Sequence, residues 1–460
     1  MELEKRGKPT ALVLTDEFAP LGRAEAEALA MPGLPFVAIP HPMDRLGKEE
    51  VREAAERALK EIVYVLTQPP QRLSAEYKEK YQAPRGIFRR KGTFAQETGE
   101  TSGSIAAANH LYYERGWTDG LPIIPPTERE LQKMLRYTDW DPEEVLAALL
   151  PRRGKATLRK IAINSIMAGC LPEYFPVVVA AVQAMSQSQF NLPGIIATTN
   201  PASPLVIVNG PVINELDFNC GYGVFGSGWR ANATVGRAVR LVVLNIAGGI
   251  PGVLDRATFG QTGKYSFCIA ENEELNPWGP LHLERGFAKE TSTVTLFGGA
   301  GPHNIVDMTS TTALGLLSTI AGGMSASGAN NITGGGEPLL VLGPEFARKI
   351  AGEGFSKMDV KKFLYENARA PLTSVEGLQK YRARRKSFLD ETRNPLSQFT
   401  IADKPEDVIV IVAGGGGPHA QYVGSFFNNT RSVTLPITRK DGSPVSSMKD
   451  FLSKRIEGDS

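Results

Sequence analysis

One pattern occurs twice in this chain. Val294 to Asp307 reads VTLFGGAGPHNIVD, and Val408 to Val423 reads VIVIVAGGGGPHAQYV. Each is an apolar, β-branched run followed by closely spaced small residues and then Pro-His. Such a run is a buried strand, and the glycines that end it let backbone approach a ligand or another strand closely. His303 and His419 each stand five positions after the first glycine of their run. A second matched pair lies upstream of each, with PLVIVNGP at Pro204 to Pro211 and PLLVLGP at Pro338 to Pro344. Two pairs in the same order predict a large α/β domain with two internal repeats, at roughly residues 157–306 and 311–423.

Composition bounds the function classes. With 460 residues, 42% of them hydrophobic and 22% charged, the chain has material for more than one core. A formal net charge of +2 gives no electrostatic reason to expect a nucleic-acid or membrane partner. No run of eighteen apolar residues and no basic-then-apolar leader is present, so the reading is a cytoplasmic protein. Three cysteines, Cys170, Cys220 and Cys268, are too few and too widely spaced for a disulfide framework or a CxxC zinc pair.

Residues 1–68 read as a partial, flavodoxin-like βαβα piece. PTALVL at Pro9 to Leu14 and FVAI at Phe36 to Ile39 are strand patterns, and Lys48 to Leu66 is an amphipathic helix. Two parallel strands leave open edges, so something is expected to complete the sheet. MELEKRG at Met1 to Gly7, Pro9-Thr10, DEFAP at Asp16 to Pro20 and VAIPHP at Val37 to Pro42 resemble the C-terminal half of the UGSC-family (seleno)proteins. That family is itself similar to the selenoprotein B component of glycine, sarcosine and betaine reductases. The resemblance implies reductive cleavage at a substrate's α-carbon by a selenol or thiolate, held in a redox loop that ends just before the helix corresponding to Met1–Arg6. Residues 1–169 contain no cysteine. The resemblance therefore implies selenocysteine or cysteine supplied by an upstream loop or by a docking partner subunit. The alternative is that residues 1–68 are a remnant kept for packing.

Residues 69–115 are polar and turn-rich and read as a linker or arm, with a basic cluster at Arg85, Arg89, Arg90 and Lys91. The large domain, 116–460, opens at RGWTDGLPIIPP (Arg115 to Pro126), where Trp117 is expected to pack. Thr157 to Ala168 reads as a helix, and Cys170 follows it at the start of another, where an N-terminal position can lower a thiol pKa. The competing reading of Cys170 is a small buried residue between helices. Phe225 to Asn245 offers Gly226, Gly228, Arg230 and Asn232 at a helix start as an anion-binding element. A second basic run, Lys380 to Lys386, reads as a solvated face or a partner contact, and residues beyond about Lys440 are expected to fray.

The expected function is a reductase-type oxidoreductase subunit acting on a small anionic substrate, with a partner subunit or a second copy. Substrate would sit against Gly226, Gly228, Arg230, Asn232 and the glycines of both loops, Gly298, Gly299, Gly301 and Gly414, Gly415, Gly416, Gly417, with Glu337 as a further carboxylate. Cys170, His303 and His419 are the catalytic candidates, and no metal site is expected. Two alternatives stay open: a redox-independent hydrolase or lyase in which His303 and His419 share one cleft, and a non-catalytic binding or assembly subunit.

Overall fold

Apolar side chains alternate inward and outward along most strands of this chain, and both sides of the central strands find cover. In the computed structural model, residues 2–41, 43, 46–78, 80, 104–371 and 398–453 are described. The basic clusters at 85–91 and 380–386 lie outside them. At the N-terminus β1 (Leu12–Thr15) and β2 (Phe36–Ile39) pair in parallel, with α1 (Ala19–Ala28) and α2 (Lys48–Thr67) between and after them. Leu21 and Ala24 of α1 pack against the large domain's core, and Arg256 pairs with Glu17. The outer face of α2 leaves Leu59, Val63 and Leu66 exposed.

After the helix Glu128–Leu135, the large domain forms an antiparallel pair, β3 (Val145–Leu149) and β4 (Gly154–Thr157). α3 (Leu158–Ala168) follows, its first turn capped by the Thr157 hydroxyl, which accepts from the Lys160 amide, and its end set by Gly169 at φ +93°. Then come α4 (Phe175–Met185), β5 (Ser203–Asn209), α5 (Arg230–Val242), β6 (Cys268–Ala270), β7 (Thr293–Gly299) and β8 (His303–Val306). The chain continues with α6 (Ala313–Met324), β9 (Leu339–Leu342), α7 (Pro344–Gly352), α8 (Lys357–Asn367) and the small antiparallel pair β10 (Arg369–Pro371) and β11 (Gln398–Thr400). It closes with β12 (Ile409–Val412), β13 (His419–Val423) and β14 (Val433–Pro436).

Two four-stranded sheets result, ordered β14-β7-β5-β6 and β12-β9-β13-β8. Leu205, Ile207 and Phe297 of the first meet Leu339, Val341, Ile411 and Val423 of the second in one buried cluster, so the sheets pack face to face. Val206, Val208 and Leu296 point the other way, into a core shared with α3, α4 and α5. Leu340, Leu342 and Val410 do the same under α6, α7 and α8. The architecture is a four-layer α/β/β/α sandwich, in agreement with the α/β class read from the sequence.

The registers reveal an internal twofold. Leu205 pairs with Phe297 and Leu339 with Val423, while Val206 pairs with Cys268 and Leu340 with Val410. Thus β5, β6 and β7 correspond to β9, β12 and β13. In the fourth position the chain crosses over: β7 runs directly into β8 of the other sheet, and β13 leads to β14 of the first. Two related hydrogen bonds mark the crossing, Ala300 N–H to the Gly424 carbonyl at 2.8 Å and Phe426 N–H to the Gly298 carbonyl at 2.9 Å. The PLVIVNGP and PLLVLGP strands are true counterparts. The Gly-Pro-His segments are not: by register His303 corresponds to Val433 and His419 to Thr293. Continuous halves 157–306 and 311–423 therefore give way to halves that exchange a strand.

The C-terminal segment also differs from expectation. Val445, Met448 and Phe451 are buried against the α3–α5 core, so the described residues past Lys440 are held by apolar burial instead of fraying. The inter-sheet layer is fully buried, so truncations there should be costly. Ile207→Ala is expected to cost about 2–5 kcal/mol, whereas Leu59→Ala on the exposed face of α2 should stay within about 0.5 kcal/mol; urea denaturation of both variants checks the contrast.

Candidate functional site

Strands β9 and β12 run parallel, and their C-terminal ends open beside each other into turns. The first turn is Gly343-Pro344, which starts α7, and the second is the loop from Ala413 to Pro418. A third wall is the segment Asn219 to Gly226. Together they enclose a cavity of about 310 Å³, a volume suited to a small molecule. Its inner wall is apolar, with Val224, Phe225, Val341 and Ala420, and its polar groups come from Tyr222, His419, Gln421 and the glycine backbone.

The glycine loop needs its glycines. Gly414 and Gly417 adopt φ of +100° and +134°. A Cβ on Gly415 would stand 2.0 Å from the Tyr222 ring, so that ring lies directly on the loop backbone. A Cβ on Gly416 would lie 3.1 Å from the Tyr222 hydroxyl and 3.2 Å from Glu345 Oε1. The Gly414 amide donates to the Cys220 carbonyl at 2.9 Å, whereas among the described residues the amides of Gly415, Gly416 and Gly417 have no acceptor. Successive free amides in such a turn form a concave anion-binding surface.

Asn232 holds the third wall. Its side-chain Oδ1 accepts from the Asn219 amide at 2.7 Å, and its side-chain nitrogen donates to the backbone carbonyls of Asn219 and Cys268. Asn219 in turn receives the Gly221 amide and donates to the Tyr222 carbonyl. Asn232 is buried and works behind the wall as a positioning residue, which corrects its expected contact with substrate.

The two histidines sit on adjacent antiparallel strands but do not share a cleft. His303 is opposite Tyr422, and His419 is opposite Val306. Three rungs separate them, about 10 Å along the ladder, and an odd separation puts them on opposite faces of the sheet. His419 shares the inter-sheet face with Gln421 and lines the cavity; His303 shares the helix-covered face with Ile305 and lies outside it.

The other expected residues disperse. Gly226 lines the cavity with Gly414, Gly415, Gly416 and Gly417. Arg230, the first residue of α5, and Gly228 are exposed outside it. Gly298 and Gly299 are buried at the crossing, where added Cβ atoms would meet Ile195 at 2.7 Å and Phe297 and Val423 at 2.8 Å, so they serve close packing. Gly301 faces Gln261. Glu337 is buried and accepts from the Ser432 amide at 2.6 Å, with Arg431 3.8 Å away. Cys170 follows α3 as expected, but burial pushes its thiol up to about 12, opposite to the shift an activated nucleophile needs. Burial likewise raises Cys268 and Cys220. Tyr222, Gln421 and Glu345 went unremarked in the sequence; an aromatic between two glycines in NCGYG was the available signal.

Residues 1–68 match the UGSC family. No curated protein matches the chain, and no solved structure does. Among the described residues no helix is long and apolar enough to cross a membrane.

The raised thiols have a direct consequence. At pH 8 a maleimide should leave Cys170 and Cys268 unmodified in the native protein and react slowly with Cys220, while all three label after denaturation. Rapid native labelling of Cys170, read by peptide mass spectrometry, would return it to the list of nucleophiles.

Proposed function

We propose that the cavity at the ends of β9 and β12 binds a small anionic substrate, a carboxylate or a phosphate ester. The observation that carries this reading is the row of three glycine amides with no acceptor among the described residues, on a cavity wall that also presents His419. Amide dipoles fixed by a folded loop stabilise negative charge without reorganising, which suits both ground-state binding and charge that develops during reaction. The Tyr222 ring lies against the Gly415 backbone at the solvent-exposed mouth of the loop, and the apolar inner wall takes the uncharged part of the ligand. His419 places an imidazole on the cavity lining, the side chain suited to general acid–base work.

The reaction class belongs to the same proposal. The match of residues 1–68 to the UGSC family supports a reductase-type subunit, through that family's similarity to selenoprotein B. Its nucleophile would come from a partner subunit or an upstream loop, because the three thiols here are all shifted toward the protonated form. A hydrolase using both histidines at one substrate is not favoured, since they face opposite sides of their sheet.

Thermal-shift titration with acetate, glycolate and inorganic phosphate, against chloride at equal ionic strength, tests the binding step. A ligand at one hundred times its Kd should stabilise the fold by about 2.7 kcal/mol. Gly416→Val fills the loop without requiring a positive φ and should abolish that gain. An equal response in the variant, or no saturable response to any anion, overturns the assignment. With a turnover substrate in hand, His419→Gln should retain binding and lower kcat by about 10²–10⁴.

A further inference from the structure

The internal twofold gives the ligand cavity a counterpart in the other sheet. It lies at the ends of β5 and β6, against the start of β7. Counting past the strand ends, Glu271 stands where the second half has Ala413, Glu273 where it has Gly415, and Thr293 where it has His419. Small residues leave the second crevice open, whereas side chains fill the first.

The filling is polar and enclosed. Asn209, Glu271, His282 and Thr293 are fully buried. Glu271 accepts from the Asn209 side-chain nitrogen at 2.7 Å, the Asn276 side-chain nitrogen at 2.8 Å and the Leu281 amide at 2.8 Å. Glu273 accepts from the Asn209 side-chain nitrogen at 3.0 Å and from the Gly210 amide at 2.6 Å. His282, on the short helix Leu281–Glu284, brings Nδ1 to 3.4 Å from the same Glu273 oxygen.

Four buried atoms of this cluster have no hydrogen-bond partner among the described residues: Asn209 Oδ1, Thr293 Oγ1, and Nδ1 and Nε2 of His282. Asn209 cannot be flipped to relieve this, because its nitrogen must face two carboxylates. Asn209 and Thr293 are directly opposite on the β5–β7 ladder, so their side chains lie on one face. His282 reaches the same place through Glu273. Fully buried polar groups left alone cost stability, and native folds satisfy them with protein or with ordered water.

We propose that the first crevice is a closed site for one ordered water, held by Asn209, Thr293 and His282. With the His282 proton on Nδ1 beside Glu273, Nε2 is an acceptor. The water then donates to Asn209 Oδ1 and His282 Nε2 and accepts from the Thr293 hydroxyl, the three bonds typical of a buried water. A metal ion is the weaker occupant, since among the described residues no three His, Cys, Asp or Glu side chains are grouped to hold one. The site has a structural purpose. The loop it fixes extends through Asn272, whose amide donates to the Val412 carbonyl at 2.7 Å, at the base of the glycine loop. The closed crevice thus braces the open one.

Two measurements decide it. A crystal structure of the full chain that resolves ordered solvent should show one density peak within hydrogen-bonding distance of all three groups. Thr293→Val keeps the shape but removes a partner, so its Tm should fall by roughly 1–3 °C, and Thr293→Ser should retain the peak. If the hydroxyl is an orphan in a dry crevice, Thr293→Val removes a buried penalty and its Tm stays or rises. That result, a crevice without density, or a peak with metal-type distances and four or more ligands, overturns the proposal.

Discussion

Everything in the large domain depends on one contact surface, the apolar layer between the two sheets. Leu205, Ile207, Phe297, Leu339, Val341, Ile411 and Val423 fill it. Their opposite neighbours are equally apolar, so each central strand is covered on both sides and the helices have no choice but to lie outside. Hydrophobic burial is non-directional; direction comes from the crossing at Gly298–Gly299, where two related hydrogen bonds pass a strand from each half into the other. Side chains there would separate the strands, since even one Cβ meets Phe297, Val423 or Ile195. The glycines of the first loop therefore belong to the architecture.

The cavity is a by-product of that arrangement which one half keeps open. Parallel strands β9 and β12 end side by side, and the turn that leaves β12 lines the cavity with glycine backbone. In the other half the same place holds carboxylates and a histidine. There the donors are Asn209, the Gly210 amide, Asn276 and the Leu281 amide, and burial still raises the Glu271 carboxyl above its ordinary value. The pair illustrates how duplicated crevices diverge. Small residues at Ala413 and Gly415 leave the crevice open, whereas Glu271 and Glu273 at the counterpart positions fill theirs.

The N-terminal piece stands apart in its physics. Its two parallel strands carry no further strand among the described residues, and it meets the large domain through α1 and the Arg256–Glu17 pair. The family match lies in this piece, while the cavity lined by the glycine loop lies in the sandwich. Burial holds the sandwich's own thiols toward the protonated form, so under the proposed reductive chemistry the nucleophile would have to be brought to the glycine loop.

Much of this was legible in the chain. β-branched runs ending in glycine marked β5, β7, β9 and β12, and Gly226, the loop 414–417 and His419 were marked as site residues. Local pattern could do this because strand burial and backbone freedom are properties of short segments. Pairing is not. A run apolar on both faces, such as VIVIV, does not say which face meets the sheet and which meets a helix, and the likeness of two Gly-Pro-His segments does not say which strands they join. Tertiary register decided that His303 and His419 turn away from each other. It also decided that Asn232 ties a loop instead of touching substrate, and that Tyr222 closes over the glycines. Each of those outcomes depends on residues far apart in sequence meeting across a ladder, and no single segment carries that information.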